Sequence, residues 1–388
     1  MQFHQEPRFP KGYRCASRNA GLKASGRDLS LFVSDVDAAA AALFTRNHFP
    51  GAPVILGRET IRAGRLRAIV ANSRYSNVAT GPQGLDDARR MAAAAAAEVG
   101  TTPDKVLVSS TGVIGVRLPI EKVESALRGM SAELADTPLA GAEGIMTTDK
   151  RPKALSITLG NVTITWVAKG SGMIEPDMAT MLVYIFTDAR LDASSLDRML
   201  RAVAADSFNM LSIDTDTSTS DTCVILANGL AGPVDEDVFA ATLAAGCMRM
   251  AETLARDGEG ATKLIRAVVT GAASDREARR VAKSIVNSPL IKTMAHGADP
   301  NVGRVLMAVG KCFECQIRPD STRAAINGHE VVSNGLRIDF DEQAIRQQLA
   351  GDTVEIAVDL GIAGGHAVAF GCDLTRGYVE ENAAYFSS

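Results

Sequence analysis

Two patterns of hydrophobic and polar positions alternate along the chain. Short runs rich in Val, Ile and Leu predict strands, and longer alanine-rich amphipathic stretches predict helices. Their alternation over 388 residues predicts a mixed α/β (α+β) fold. The predicted strands are Leu29–Val33, Leu66–Ala71, Lys105–Ser109, Ala154–Val167 as a hairpin turning at Gly160-Asn161, Met181–Thr187, Thr222–Ala227 and Ile265–Thr270. The predicted helices are Ala38–Phe44, Leu85–Val99, Ile120–Leu134, Ser195–Asp206, Glu236–Arg256 and Asp275–Val286.

The segment from Lys169 to Thr180 places a hydroxyl where a glycine-containing loop runs into an apolar strand. A threonine hydroxyl is a weak nucleophile unless a base is nearby, and cleavage just before it makes its own amine that base. Gly170 and Gly172 permit the backbone angles of a loop that cleaves itself, and Ala179 is the small residue such a cut needs. Ala179/Thr180 is therefore a candidate self-processing site, although threonine more commonly just opens a strand.

The same site is the expected boundary of the chain, because no linker rich in Pro, Ser or charge divides it. Cleavage there would give a first segment of residues 1–179 and a second of residues 180–388. After about Asp320 the pattern changes to short strands and turns, with a hairpin turn predicted at Ile326-Asn-Gly-His329. This change predicts a smaller C-terminal subdomain.

Composition excludes several classes of function. With 46% hydrophobic residues the chain can bury a large core, and a net charge of −4 argues against a nucleic-acid surface. The amino terminus has no basic start, and no apolar run reaches the ~20 residues of a spanning helix, so we expect no membrane partner and a cytoplasmic location. Cys312 and Cys315 have metal-ligand spacing, but no second pair completes a site, and we expect no metal.

A threonine nucleophile of this kind is suited to acyl transfer, which also needs hydrogen-bond donors for an oxyanion and groups that bind the substrate. The turn at Thr111-Gly112 follows an apolar strand, and its glycine would let a backbone N–H face a substrate oxygen, although such turns more often cap helices. Lys169 can supply positive charge to a carboxylate, although surface lysines are usually only solvated. Glu259, between two glycines, can hold a substrate ammonium or simply belong to a turn that ends a helix.

Eight blocks of the chain, in order, resemble those of the ornithine acetyltransferases, the bifunctional glutamate N-acetyltransferases of arginine biosynthesis. The resemblance also covers the loop before Thr180 and runs nearly from end to end. The eight blocks are Pro10–Tyr13, Asp28–Leu31, Phe44–Arg46, Ser110–Gly115, Met146–Asp149, Ser212–Ser218, Asp257–Lys263 and Gly371–Thr375.

The resemblance implies a self-cleaving, N-terminal-nucleophile type of acyltransferase. The positions matching the family's catalytic residues are Thr180 as nucleophile and Thr111 and Gly112 as the oxyanion hole, with cleavage between Ala179 and Thr180. The positions matching its substrate-binding residues are Thr147, Lys169, Thr180, Glu259, Asn382 and Ser387.

The resemblance further implies a ping-pong reaction without a cofactor. The acetyl group of N2-acetylornithine would pass to Thr180, ornithine would leave, and glutamate would take up the acetyl group. The resemblance also implies a tetramer of two α and two β chains, so an α2β2 assembly is expected.

Four positions depart from the family's usual pattern. Val302 stands where the family typically has Trp, Tyr75 lies in a block usually reading Asn-Ala-Asn, and Glu381 and Phe386 flank the C-terminal asparagine. These changes keep three alternatives open. The chain could be a paralogue with another acyl donor or amine acceptor in a specialised pathway, a related amidohydrolase or aminopeptidase in which water is the acceptor, or a non-catalytic relative that never cleaves.

Overall fold

The structure is a computed structural model that describes residues 2–175 and 181–383. The described chain forms two compact units. The first comprises residues 2–170, 181–208 and 217–250, and the second comprises residues 171–175, 209–216 and 251–383. Helices and strands are mixed in both units, so the predicted α/β class is confirmed.

The first unit is built on one eight-stranded sheet. The strands of this sheet are β1 Tyr13–Arg18, β2 Leu29–Phe44, β3 Arg65–Asn72, β4 Val106–Ser110, β5 Lys153–Leu159, β6 Val162–Lys169, β7 Leu182–Ala189 and β8 Thr222–Gly232. Their order in the sheet is β4-β3-β2-β8-β7-β6-β5, with β1 paired to β2. Its helices are α1 Ala52–Thr60, α2 Gly81–Val99, α3 Ile120–Leu127, α4 Pro138–Ile145, α5 Ala193–Asp206 and most of α6 Glu236–Arg256.

The predicted helix Ala38–Phe44 is wrong, because these residues form the second half of β2. Residues 39–44 pair with β8, and Ala38 and Ala39 also pair with β3. Alanine favours helices in isolation, but pairing with neighbouring strands supplies these backbone groups with hydrogen bonds. The small side chains then fill a tightly packed sheet interior.

The core of the first unit joins distant strands of the sheet. The ring of Phe32 on β2 lies 5.3 Å from that of Tyr184 on β7 and 5.6 Å from that of Phe186. Behind the sheet, the fully buried Trp166 of β6 packs against α6 at Gly246, where an added Cβ would lie 2.1 Å from the indole ring. The strands that carry residues before and after the proposed cleavage site therefore share one core.

The second unit contains a six-stranded sheet. The strands of this sheet are β9 Leu264–Ala272, β10 Arg323–Ile326, β11 His329–Ser333, β12 Leu336–Arg337, β13 Thr353–Asp359 and β14 Gly365–Cys372. Their order in the sheet is β12-β11-β10-β13-β9-β14. The strands after residue 320 join β9 in this sheet, so they belong to a unit that begins well before residue 320. Its helices are α7 Asp275–Val286, α8 Pro289–His296, α9 Val302–Gly310, α10 Glu342–Leu349 and α11 Arg376–Ala383.

Residues with positive φ explain a hairpin turn in the second unit and the end of a helix in the first. The hairpin at Ile326–His329 is confirmed, with Asn327 and Gly328 both at positive φ as a two-residue loop requires. The predicted helix Ile120–Leu134 ends early, at Leu127, because Gly129 takes a left-handed conformation and a short 3-10 turn follows.

Helix α6 is the one helix in the described ranges long and apolar enough to span a membrane by composition. Half of its most apolar stretch is buried inside the protein, as in the core helix of a globular unit.

Candidate active site

The predicted oxyanion turn lies at the ends of two parallel strands, β3 and β4. Thr111 is buried, and its N–H donates to the carbonyl oxygen of Asn72 over 3.0 Å. On the far side of Gly112, the N–H of Val113 donates to the carbonyl oxygen of Arg74 over 2.9 Å. Backbone hydrogen bonds thus join the loop after β4 to the loop after β3, and they hold the turn in one conformation.

Only glycine fits at position 112. Its φ is +128°, and an added Cβ would lie 2.2 Å from the carbonyl carbon of Arg74. Arg74 itself has a φ of +84°, an uncommon conformation for a residue with a side chain. Such strained backbone persists where its surroundings enforce it and is concentrated at functional sites.

Thr147 and Lys169 come together in the first unit, around a buried carboxylate. The Lys169 ammonium lies 3.3 Å from the Thr147 hydroxyl oxygen. Asp149 accepts hydrogen bonds from the N–H of Thr147 at 3.0 Å and from that of Gly170 at 2.8 Å. It also pairs with Lys153 at 2.5 Å, and both side chains are almost completely buried. One carboxylate therefore fixes the backbone at both predicted binding residues.

The charges around Thr147 are mostly positive. Burial alone would raise the pKa of Asp149, but the ammonium groups of Lys153 and Lys169 hold that pKa below its usual value. Lys23 donates to the carbonyl oxygen of Met146 over 2.6 Å, and burial lowers its pKa, with Lys169 contributing. A cluster of this kind attracts a carboxylate-bearing ligand.

The β6–β7 register brings the start of β7 beside this cluster. Lys169, the last residue of β6, pairs with Leu182, the first residue of β7. On the other side of β7, Leu182 pairs with Thr222, whose N–H donates to the carbonyl oxygen of Met181 over 2.9 Å. The described residues that follow position 180 in the chain are thus held directly beside Lys169.

Glu259 and Asn382 come together in the second unit. The Asn382 amide donates to the Glu259 carboxylate over 2.8 Å and to the carbonyl oxygen of Tyr378 over 3.0 Å. The Glu259 side chain is buried against Gly172, where an added Cβ would lie 2.2 Å from a carboxylate oxygen. The Glu259 N–H also donates to the carbonyl oxygen of Ser171 over 2.8 Å. The backbone at Gly172 therefore lies so close to Glu259 that a side chain at this position would overlap the carboxylate.

Three predicted site residues lie outside the described residues: Ala179, Thr180 and Ser387. Within the described ranges, the predicted residues form three groups. The first unit holds the Thr111-Gly112 turn and the Thr147–Lys169 pair, and the second unit holds the Glu259–Asn382 pair.

Sequence reasoning missed the residues that support these groups. Asp149 was part of a recognised block, but no role was predicted for it, and Lys153 was not singled out. The sequence carries one weak signal, an acidic residue followed four positions later by a basic one. That spacing is common on surfaces, so it does not reveal burial.

The chain is similar to known proteins along nearly its whole length. A model of the ArgJ family matches residues 14–387. The chain belongs to the ArgJ family. It is 45% identical over 382 residues to the arginine biosynthesis bifunctional protein ArgJ of Rhodococcoides fascians, covering 97% of this chain and 94% of that one. It is 43% identical over 386 residues to the glutamate N-acetyltransferase Oat2 of Streptomyces clavuligerus, covering 98% of both.

A solved structure of the family is also similar. The crystal structure of the ArgJ protein of Bacillus halodurans matches with a TM-score of 0.51 and 40% identity, over 52% of this chain and 98% of that one. These relatives confirm the predicted family and the predicted class of enzyme, an acetyltransferase of arginine biosynthesis.

The structure locates three of the four departures from the family pattern. Val302 is buried in the core cluster of the second unit, at the start of α9. Tyr75 is half-buried, and its side chain packs against a core cluster of the first unit that includes Met91 and Val108. Glu381 is exposed on α11, and Phe386 lies outside the described residues.

Proposed function

We propose that this enzyme transfers an acetyl group from N2-acetylornithine to glutamate through an acetyl-Thr180 intermediate formed after cleavage between Ala179 and Thr180. In the cleavage, the Thr180 hydroxyl oxygen bonds to the carbonyl carbon of Ala179, and the C–N bond to Thr180 breaks. Water then hydrolyses the resulting ester, which leaves a carboxylate on Ala179 and a free amine on Thr180. That amine is the base for the later acyl transfer.

In the transfer, the Thr180 amine takes the proton of its own hydroxyl, whose oxygen attacks the acetyl carbonyl of the donor. The oxyanion is stabilised by the Thr111 hydroxyl and the Gly112 N–H, which lie on a turn held by backbone hydrogen bonds to Asn72 and Arg74. Ornithine leaves with a proton on its amine. The α-amine of glutamate then attacks the acetyl-threonine ester and regenerates the free hydroxyl.

The observation that carries this proposal is the contact between Lys169 and Thr147 next to the start of β7. It joins two predicted substrate-binding residues, and one of them, Lys169, pairs with Leu182, two positions after the predicted nucleophile in the chain. The positive cluster there suits the α-carboxylate that donor and acceptor share. Glu259, held by Asn382, is proposed to bind a substrate ammonium, and Ser387 to contribute from the C-terminal segment.

The length of the solved relative supports cleavage. Nearly all of that chain matches, yet it corresponds to only 52% of this one. A cut before Thr180 would divide this chain into two segments of similar length.

We further propose that the enzyme is cytoplasmic, acts without nucleic acid or a membrane, and assembles as an α2β2 tetramer of cleaved chains.

Intact mass under denaturing conditions tests the cleavage directly. We expect two fragments meeting at Ala179/Thr180 in the parent protein and a single full-length mass in Thr180→Ala. A single full-length mass in both would contradict the proposed base and the mechanism that depends on it.

Product analysis with and without glutamate tests the acceptor. We expect N-acetylglutamate to form only when glutamate is present, with little free acetate in its absence. Acetate release at an equal rate without glutamate would instead identify the enzyme as a hydrolase.

A further inference from the structure

The segment 171–175 precedes the proposed cleavage site in the chain. Its last residue, Glu175, is held in place through contacts of its carboxylate. Ser212 donates its hydroxyl to this carboxylate over 2.7 Å, and the Asn287 amide nitrogen lies 2.7 and 2.9 Å from its two oxygens. The Lys283 ammonium lies 3.3 Å away. Hydrogen bonds to a charged group are roughly twice as strong as neutral ones.

The donors of this clamp come from rigid parts of the second unit. Lys283 lies in the last turn of α7, and Asn287 is the residue that caps its C-terminal end. Lys283 also donates to the carbonyl oxygen of Leu211 over 2.9 Å, and the neighbouring Ser212 is held by its N–H bond to Phe370 of β14. The Glu175 side chain is 23% exposed, so water screens these contacts only in part.

A second carboxylate holds the middle of the same segment. Asp214 accepts hydrogen bonds from the N–H groups of Met173 at 2.6 Å and Ile174 at 2.8 Å. The backbone of Ile174 also bonds to that of Ile213, and Glu175 to Asp216. Met173, whose N–H bonds to Asp214, has a φ of +52°, a conformation that costs free energy in a residue with a side chain.

We propose that the Glu175 clamp is a positioning device for self-processing, which fixes the segment 171–175 that precedes Ala179/Thr180 in the chain. This inference rests on the proposed cleavage. Glu175 lies four positions before Ala179, so the clamp and the Asp214 contacts fix the point from which the chain continues toward the cleavage site. Glu175 does not take part in the bond changes: the Thr180 oxygen still attacks the Ala179 carbonyl carbon, and water still completes the cleavage.

The rate of processing tests this proposal. Precursor is produced in a cell-free translation reaction, and its conversion into two fragments is followed by intact mass over time. We expect conversion to slow by about 10- to 100-fold in Glu175→Ala, the size of effect that a misplacement near 1 Å has on a reaction. Asn287→Ala should slow it in the same direction, while Glu314→Ala, which removes an exposed ion pair with Arg280 of α7, should leave it unchanged.

A second readout separates positioning from loss of fold. Fully cleaved Glu175→Ala protein should transfer acetyl groups with the kcat and KM of the parent, because the clamp acts before the acyl transfer begins. Processing of both Glu175→Ala and Asn287→Ala at the parent rate would overturn the proposal, as would slow processing accompanied by equally reduced transfer after cleavage. If Glu175→Ala does not fold, the rate at which the precursors of Glu175→Gln and Asn287→Ala are cleaved tests the proposal instead.

Failure of the cleavage itself gives a different result. If the parent stays at full length, or if Thr180→Ala is cleaved as the parent is, the proposed function fails whatever the clamp variants do. If the parent is cleaved and Thr180→Ala is not, the rates of the clamp variants report on Glu175 alone.

Discussion

At the scale of single residues, one buried carboxylate organises the candidate site. Asp149 accepts two backbone N–H bonds, from Thr147 and Gly170, and pairs with Lys153. An ion pair with no exposure to water is costly to form, and removing one partner leaves the other charge buried without compensation. The arrangement therefore holds the backbone at Thr147 and Gly170 in place more than it adds stability.

Replacing Asp149 by Asn should destabilise the protein and weaken substrate binding. We expect a loss of about 3 to 5 kcal/mol in the free energy of unfolding at pH 7, because Lys153 stays buried without its partner. The pKa of Asp149 is lower in the folded protein than its value near 3.9 in the unfolded chain. Its charged form therefore stabilises the fold above about pH 4, and this contribution is lost as the pH falls through the folded pKa.

Urea unfolding followed by circular dichroism at pH 7 and in acid measures this difference. The gap between the parent and Asp149→Asn should begin to narrow below about pH 4 and should narrow further as the pH falls through the folded pKa of Asp149. Asp197→Asn, at an exposed pair with Arg201, should change the free energy of unfolding by no more than about 0.5 kcal/mol at either pH. A gap that does not depend on pH would contradict the assigned charge of Asp149.

At the scale of elements, the close packing of α6 on β6 depends on a glycine in the middle of a helix. Gly246 lies so close to Trp166 that an added methyl group would overlap the indole ring. Glycine lowers helix propensity by about 1 kcal/mol relative to alanine, so close packing is the reason to keep it here.

Gly246→Ala should therefore destabilise the protein by about 1 to 3 kcal/mol despite its better helix propensity. The chain has one tryptophan, so its fluorescence reports directly on the displaced ring. Gly310→Ala is the matched control, since no atom lies within 4 Å of its added Cβ and it should be neutral or stabilising. An unchanged melting temperature and emission spectrum in Gly246→Ala would contradict this packing.

At the scale of the whole molecule, the proposed cut would divide a single sheet without separating it. β6 precedes the cut and β7 follows it, and they pair over six residues on each strand. β2 and β8 also pair across the division. The two segments contribute Phe32 and Tyr184 to one core.

The cleaved segments should therefore remain together until the protein is unfolded. Gel filtration with light scattering should give one species that contains both fragments in equal amounts, at twice the 40.8 kDa chain mass for an α2β2 tetramer. Strong denaturant should be needed to separate them, because separation exposes sheet edges and apolar core to water. Fragments that elute separately in native buffer would contradict this expectation.

The elements that sequence patterns predicted well are those whose signals are local. Helices α6 and α7 begin and end where their amphipathic patterns do, and the Asn-Gly pair predicted the β10–β11 hairpin. The run Ala38–Phe44 was misassigned because alanine has a strong local preference for helix, whereas its strand pairs with β8, which lies far away in the chain.

The sequence by itself determined the mixed fold class, the family, the chemical types of the candidate site residues and their order along the chain. Periodicity, turn residues and motif spacing are properties of neighbouring positions, so they can be read without a structure. The tertiary structure alone decided that Asp149 is buried between Thr147 and Gly170, that Lys169 stands opposite Leu182, and that Glu175 is clamped at the end of α7. Burial and charge pairing depend on residues brought together from distant parts of the chain, and folding alone sets those contacts.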